Sequence, residues 1–155
     1  MNGVARFALL LALGLWIGTI ATVSFLVAPV VFTILAPAQA GDVVGAIFPS
    51  YYRIGIVVAV IAVVAALRLR AHASAPGAWS WTAALAALGL GATLWAGWVV
   101  HPAARERRSA LTAAGTAPSS DAEFQRLHHR AVVLNGVALV AALAALGAAT
   151  RGLRA

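Results

Sequence analysis

The chain has 155 residues, of which 63% are hydrophobic and 10% are charged, and its mean hydropathy of +0.94 excludes an ordinary soluble domain. Its formal charge of +7 comes from eleven arginines, without any lysine, against four acids. In a membrane protein this balance indicates arginines anchored near lipid phosphates and disfavours nucleic acid as a partner. Cysteine is absent, which excludes disulfides, thiolate metal ligands, iron–sulfur clusters and cysteine nucleophiles.

Four apolar stretches of about 20 residues recur along the chain, and each is long enough as a helix to cross a hydrocarbon core about 30 Å thick. They predict an all-α fold, a polytopic four-helix antiparallel membrane bundle that forms a single integral membrane domain over residues 1–155. The predicted spans cover residues 7–35, 52–70, 80–100 and 122–149, with a kink at Pro29 in the first. The expected partner is the lipid bilayer, in a bacterial inner (cytoplasmic) membrane, and a homo-oligomer or a membrane complex is an open alternative to a single copy.

The first apolar stretch is longer than the hydrophobic region of a signal peptide, although residues 38–40 resemble a cleavage site. A spanning helix is therefore the preferred interpretation. Within it, Gly14 and Gly18 form a Gly-xxx-Gly pair around Trp16, a spacing that lets a neighbouring backbone approach closely. We expect these three residues to serve helix packing within the chain, with a seam between two copies as the alternative.

The middle of the chain is predicted to hold two connectors, residues 37–52 and a short turn over residues 71–80. Glycines and prolines punctuate residues 37–52, which indicates a loop, and Arg53 beyond it is expected to snorkel to the interface or to pair with Asp42. The third span is expected to end at His101-Pro102, because the residue before a proline is disfavoured in a helix.

A basic cluster, Arg105-Glu106-Arg107-Arg108, follows the third span and is interpreted as facing lipid headgroups, with an acidic partner as the alternative. Beyond it the chain is polar up to the last long helix. Ser120 or Asp121 is expected to cap that helix, with Glu123 in its first turn.

The densest chemistry lies between Phe124 and Asn135, where a polar segment leads into the last apolar stretch. At 100° per residue, Phe124, His128 and Asn135 lie within about 40° of one another, whereas His129 points roughly 100° away from His128. Asn135 lies about one turn inside an otherwise apolar run, so its amide needs partners in protein or water. This pattern predicts a polar site on one face of the last helix.

Four antiparallel spans place the first and third connectors on one side of the membrane and both termini on the other. Polar residues that are distant in sequence therefore converge at one end of the bundle. The predicted pocket there consists of Tyr51, Tyr52, Arg53, His101, Phe124, His128 and Asn135.

The chemistry of this pocket leaves several alternatives open. If their helix ends meet, His101 and His128 could coordinate a divalent transition metal or serve as axial ligands of a haem iron. They could also relay protons. An interfacial histidine, however, more often forms an ordinary hydrogen bond. The chain has no Ser–His–Asp arrangement, glycine-rich phosphate loop or HExxH motif, which disfavours an enzyme. The favoured function is binding, transport or stress resistance, and the alternatives are a haem- or metal-dependent oxidoreductase and a structural partner subunit.

A family resemblance rests on four motifs: Trp16-x-Gly18, Pro29-x-x-Phe32, Gly45-x-x-Phe48-Pro49-x-Tyr51-Tyr52, and Phe124-x-x-Leu127-His128 with Asn135. Together they resemble the transmembrane protein 205-like family (domain of unknown function 4149) over nearly the whole chain. The resemblance implies a small four-helix membrane protein of unsettled activity, whose animal member is linked with resistance to platinum drugs. The plan is more remotely similar to copper-resistance-D-like and haem-associated membrane families, but the first helix here lacks their histidine.

Overall fold

The computed structural model describes residues 2–154, and their secondary structure is entirely helical apart from short turns. The helices are α1 (Asn2–Ala21), α2 (Ala28–Ile34), α3 (Pro37–Ala71), α4 (Gly77–Trp95), α5 (His101–Ala113) and α6 (Ala122–Arg154). A first π-helical segment, Thr22–Val27, joins α1 to α2, and a second, Ala96–Val100, joins α4 to α5. A 3₁₀ turn, Pro118–Ser120, precedes α6. The predicted all-α fold is confirmed.

Because the π segments continue the helices without a break, the chain forms four long rods: Gly3–Ile34, Pro37–Ala71, Gly77–Ala113 and Ala122–Arg154. Each rod is long and apolar enough to cross a membrane. A 35-residue helix is about 50 Å long, whereas a hydrocarbon core is about 30 Å thick. The protein is therefore a multi-pass membrane bundle whose rods exceed the apolar core of the bilayer.

Rods that follow one another in the chain pack side by side, and α1 packs against α6 to close the ring. The bundle therefore runs alternately up and down. We call the end that holds residues 35–36 and 114–121 the connector end. The opposite end holds residues 72–76 together with the start of α1 and the end of α6.

The bundle interior is built mainly from alanines around a few large side chains, among them the fully buried Trp16. Small residues let the helix backbones approach closely, so that van der Waals contact holds the rods together. The Trp16 ring packs on glycine, because a Cβ added to Gly89 would lie 2.7 Å from its Cη2 atom. Large apolar side chains such as Phe25 and Trp81 are exposed, as expected of a surface that faces lipid.

The prediction that Gly14 and Gly18 serve packing within the chain is wrong. Both glycines are exposed, and a Cβ added to either would meet nothing within 4 Å. The physical reason is angular, because each glycine is two residues from Trp16 and therefore points about 200° away from it around the helix. Trp16 takes the buried face and the glycines take the outer one. The alternative of a seam between two copies stays a prediction.

The prediction that His101-Pro102 ends the third helix is also wrong. A proline in a helix lacks an N–H and clashes with the carbonyl four residues earlier. Here a π segment ends directly before His101, whose N–H donates to the carbonyl of Ala96 five residues back. Pro29 has the same arrangement, with the Ala28 N–H donating to Val23. The wider π turn accommodates each proline without breaking the rod.

The predicted connector over residues 37–52 is helical. Pro37 occupies the first turn of α3, where its missing N–H removes no intrahelical bond, and Pro49 lies inside the helix. The connector shrinks to residues 35–36, and Tyr51 and Tyr52 lie more than three turns inside α3. Residues 37–52 therefore extend α3 to the connector end of the bundle.

Candidate polar site at the connector end

Asn135 lies between two tyrosine hydroxyls inside the bundle. The Tyr51 hydroxyl donates to Asn135 Oδ1 at 3.0 Å, and Asn135 Nδ2 donates to the Tyr52 hydroxyl at 3.3 Å. Both tyrosines are buried and Asn135 is half-buried. Neighbouring residues on α3 project about 100° apart, so the two rings can approach the α6 amide from two sides. We call these three residues the Tyr–Asn cluster.

Aromatic rings enclose the tyrosines of this cluster. Phe48, one turn earlier on α3, contacts Tyr51 edge-on with ring centroids 5.7 Å apart and stacks on Tyr52 at the same distance. The His101 ring lies 5.5 Å from Phe48 and 5.6 Å from Tyr52. Such edge and offset contacts are favourable arrangements for aromatic pairs. His101 of the third rod is thereby held against α3.

Two prolines shape the environment of His101. Pro49 has no N–H, so the carbonyl of Gly45, four residues earlier, lacks its helical donor. The His101 imidazole lies within reach of that carbonyl. Pro102 directly follows His101, and the π segment that accommodates it ends at Val100. His101 therefore lies where both helices depart from regular hydrogen bonding.

Gly97 brings the second π segment against Tyr52. A Cβ added at Gly97 would lie 2.9 Å from both the Cβ and the Cγ of Tyr52, closer than real Cβ contacts. Any other residue at this position would force Tyr52 or one of the two helices to shift. The close approach sets the distance between α3 and the third rod at the level of the Tyr–Asn cluster.

A groove of about 770 Å³ lies between α3 and the third rod, beside the Tyr–Asn cluster. It is open at the side of the bundle. Its α3 wall includes Pro49, Tyr52, Arg53 and Ile56, and its other wall includes Trp98, His101, Pro102, Arg105, Glu106 and Ser109. We call this feature the α3–α5 groove. Tyr52 belongs to both the cluster and the groove, which links the buried amide to the outer surface.

The structure does not bring His128 into this site. His128 is exposed on α6, as is His129, and its ring stacks on the half-buried Phe124 with centroids 6.4 Å apart. Seven residues place His128 and Asn135 on one side of the helix but about 10 Å apart along its axis. Phe124 and His128 therefore lie beyond the Tyr–Asn cluster.

His101 and His128 do not meet as the metal- or haem-ligand alternative would require, because His101 contacts Phe48 and Tyr52 whereas His128 contacts Phe124. Within residues 3–154, no three His, Asp or Glu side chains are grouped closely enough to hold a metal ion.

Arg108 ties α5 to the start of α3. Its Nη2 donates to the carbonyl of Ala38 at 2.7 Å and to Asp42 at 2.9 Å. The guanidinium lies over Gly41, where a Cβ would collide with it. Asp42 therefore pairs with Arg108 and not with Arg53, which was expected either to snorkel to the interface or to pair with Asp42. This contact could not be predicted from the sequence, because Arg108 reaches α3 only when the third rod continues as helix through His101.

Arg107 ties α5 to the start of α6. Its guanidinium donates to both carboxylate oxygens of Asp121, with Nε at 3.1 Å from Oδ1, and lies 3.4 Å from Glu123. Asp121 Oδ1 also accepts the Phe124 N–H at 2.7 Å, which confirms Asp121 as the cap of α6. Two hydrogen bonds lower the pKa of Asp121 to about 2, and the one from Arg107 has a larger effect than the one from the Phe124 N–H.

Comparison with known proteins gives one informative result. No curated protein and no solved structure matches the chain. The family described as domain of unknown function (DUF4149) matches residues 11–113. The matched region includes both tyrosines of the cluster, His101 and the whole α3–α5 groove, and it ends before α6. Since it covers well over half of the 155 residues, the chain belongs to the DUF4149 family.

Proposed function

We propose that this protein binds or transports a ligand within the membrane, with the Tyr–Asn cluster and the α3–α5 groove as its ligand-handling centre. The observation that carries the proposal is the position of Asn135, whose carboxamide is hydrogen-bonded to both tyrosine hydroxyls inside an apolar bundle. We extend the proposal to the transmembrane protein 205-like branch of the family, with a stress-resistance role in a bacterial cytoplasmic membrane.

The cost of polar groups in a membrane supports this assignment. An amide or hydroxyl placed in an apolar environment is unfavourable unless it is hydrogen-bonded, and apolar side chains would pack the same space without that requirement. The rest of the interior consists mostly of alanines, with large apolar side chains such as Leu9 and Leu13. A polar cluster placed beside a groove is therefore better explained by a ligand than by packing.

The types of hydrogen-bonding group favour a ligand that accepts hydrogen bonds. Tyrosine hydroxyls and an imidazole donate as well as accept, and arginine only donates. Tyr52, His101, Arg53 and Arg105 all line the groove, which has Glu106 as its carboxylate. The wall is thus richer in donors and in positive charge than in acceptors.

The test is complementation of a deletion strain exposed to a panel of toxic amphiphiles and metal complexes, platinum compounds included. Wild-type protein should restore growth, whereas Asn135→Ala and Tyr52→Phe should not, although both variants reach the membrane and elute as folded protein in detergent. His129→Ala is the matched control on α6, because this exposed side chain lies away from the cluster. Full complementation by both cluster variants would contradict the proposal.

A further inference from the structure

We infer that the α3–α5 groove binds an anionic phospholipid, with its phosphate between Arg53, His101 and Arg105 and an acyl chain along Ile56 and Trp98. This inference rests on the proposed function, because it names the ligand class of the same site.

The first observation is the different use of neighbouring arginines on α5. Among residues 3–154, the ion pairs with acidic side chains engage Arg107 and Arg108, and none engages Arg53 or Arg105. Arg53 and Arg105 are exposed and line the groove from opposite walls. With Glu106 as the acid in the lining, two arginines leave the groove net positive. Two guanidinium groups whose charges are not matched within the fold suit a phosphate, to which each can donate two parallel hydrogen bonds.

The second observation is the relative height of these groups along the groove. Tyr52 packs on Gly97, which places Arg53 near the level of Gly97 and Trp98. Arg105 lies one turn beyond His101, toward the connector end. His101 therefore stands between the two arginines, and in its imidazolium form, in which both ring nitrogens donate, it can donate to the same anion while it keeps its contact with the Gly45 carbonyl.

The third observation is that the groove continues into an apolar surface. Trp98 lines it and is 69% exposed, and Ile56 lines the facing wall. Nearby outward side chains, Val57 and Trp95, are also apolar and exposed. A soluble anion would use only the arginine end, whereas a phospholipid uses both ends, and exposed tryptophans are typical of the headgroup level. A volume of about 770 Å³ is sufficient for a headgroup with part of a chain.

The experiment is native mass spectrometry of the delipidated full-length protein in neutral detergent, with phosphatidylglycerol and phosphatidylcholine of identical chains in competition. Wild type should retain phosphatidylglycerol preferentially. The double variant Arg53→Gln/Arg105→Gln should bind it about 30-fold more weakly, since each arginine near an anionic headgroup contributes roughly fivefold. Arg68→Gln is the matched control, because this exposed arginine is also on α3 but near its other end. It should bind as wild type does.

Three outcomes would overturn the inference: equal binding by the double variant and wild type, equal retention of the two lipids by wild type, or displacement of phosphatidylglycerol by free glycerol phosphate at similar concentration. The last would identify a soluble phosphate as the occupant. Unfolding temperature and elution volume show whether the double variant is folded, and the single variants Arg53→Gln and Arg105→Gln repeat the test if it is not.

The two proposals fail in different ways. Full growth of the strains that carry Asn135→Ala and Tyr52→Phe would remove the proposed function, whereas selective phosphatidylglycerol binding would still support the lipid site. Unselective lipid binding would remove the lipid site, whatever the growth of those strains.

Discussion

Tyr52 packs directly on the backbone of Gly97, so that a Cβ on the glycine would stand 2.9 Å from the Cβ of the tyrosine. On its other side, the Tyr52 hydroxyl accepts a hydrogen bond from Asn135. One side chain is thus held by the third rod through packing and by α6 through a hydrogen bond. Tyr52 therefore links the packing of the third rod on α3 to the hydrogen bond from α6.

The first prediction concerns Gly97→Ala. The added methyl group has no room against Tyr52, and we expect overpacking to lower the free energy of unfolding by about 1–3 kcal/mol. Gly91→Ala on the same rod is the control, because a Cβ there meets nothing within 4 Å and alanine favours the helix. Thermal unfolding in detergent measures both variants. Equal unfolding temperatures for Gly97→Ala and Gly91→Ala would show that the contact with Tyr52 is not tight.

The second prediction concerns Asn135→Ala. This change removes both hydrogen bonds of the amide and leaves two buried tyrosine hydroxyls without it, so we expect a loss of about 1–3 kcal/mol. Gly136→Ala, at the adjacent exposed position, should be neutral or slightly stabilising. Thermal unfolding in the same detergent compares the two. A stability of Asn135→Ala equal to that of wild type would mean that the hydroxyls find other partners at no cost.

The four apolar stretches predicted the number, order and packing of the rods, because hydrophobic length is a local property of the sequence. Helix ends were harder to predict. Pro49 and Pro102 have strong local effects, but a π segment or an added side-chain donor can offset them, and both depend on neighbouring rods. The continuation of the helix through His101 therefore could not be predicted from the sequence.

The part of the candidate site that could be predicted is the part that follows from the need of a buried amide for hydrogen-bond partners. Asn135 needed partners inside an apolar run, and the topology placed Tyr51 and Tyr52 at the same end, where they do contact it. His128 was grouped with Asn135 because the two residues point in nearly the same direction around the helix. The rise along the helix axis nevertheless separates them by about 10 Å. Arg105 was not assigned to the site, because its direction is known only once α5 is seen to continue the third rod. Trp98 was not assigned to it either, because the side of the predicted span that faces α3 depends on how the rods pack.

The third prediction is a pH dependence that belongs to Asp121. Its pKa is lowered from 3.8 to about 2, so its ionised form contributes stability that is fully present above pH 3.8 and is lost as the pH falls through about 2. Wild type should therefore be more stable than Asp121→Asn at pH 6, and the difference should narrow between pH 4 and pH 2. Unfolding temperatures of the two proteins over this range measure it. A difference that does not change with pH would exclude the charge of Asp121 as its source.

The fourth prediction concerns topology and uses the absence of natural cysteine. Single cysteines at Ala75 and Thr116 lie in turns at opposite ends of the bundle. A membrane-impermeant maleimide should label only one of them in intact cells and both after the membrane is opened. A tag at either terminus should share the accessibility of Ala75→Cys. Labelling of both cysteines in intact cells would contradict the four-crossing arrangement.

Neighbouring arginines on α5 bridge in two directions, Arg108 to Asp42 of α3 and Arg107 to Asp121 at the start of α6. Both bridges lie at the connector end, whereas the opposite end has no ion pair among residues 3–154. The distance over which exposed charges attract each other, the Debye length, falls from about 8 Å at physiological ionic strength to about 3 Å at 1 M salt, so salt weakens exposed ion pairs. Rising salt should therefore loosen the molecule from one end only: amide exchange should quicken first in α5 and the first turn of α6, while residues near the 72–76 turn keep their protection.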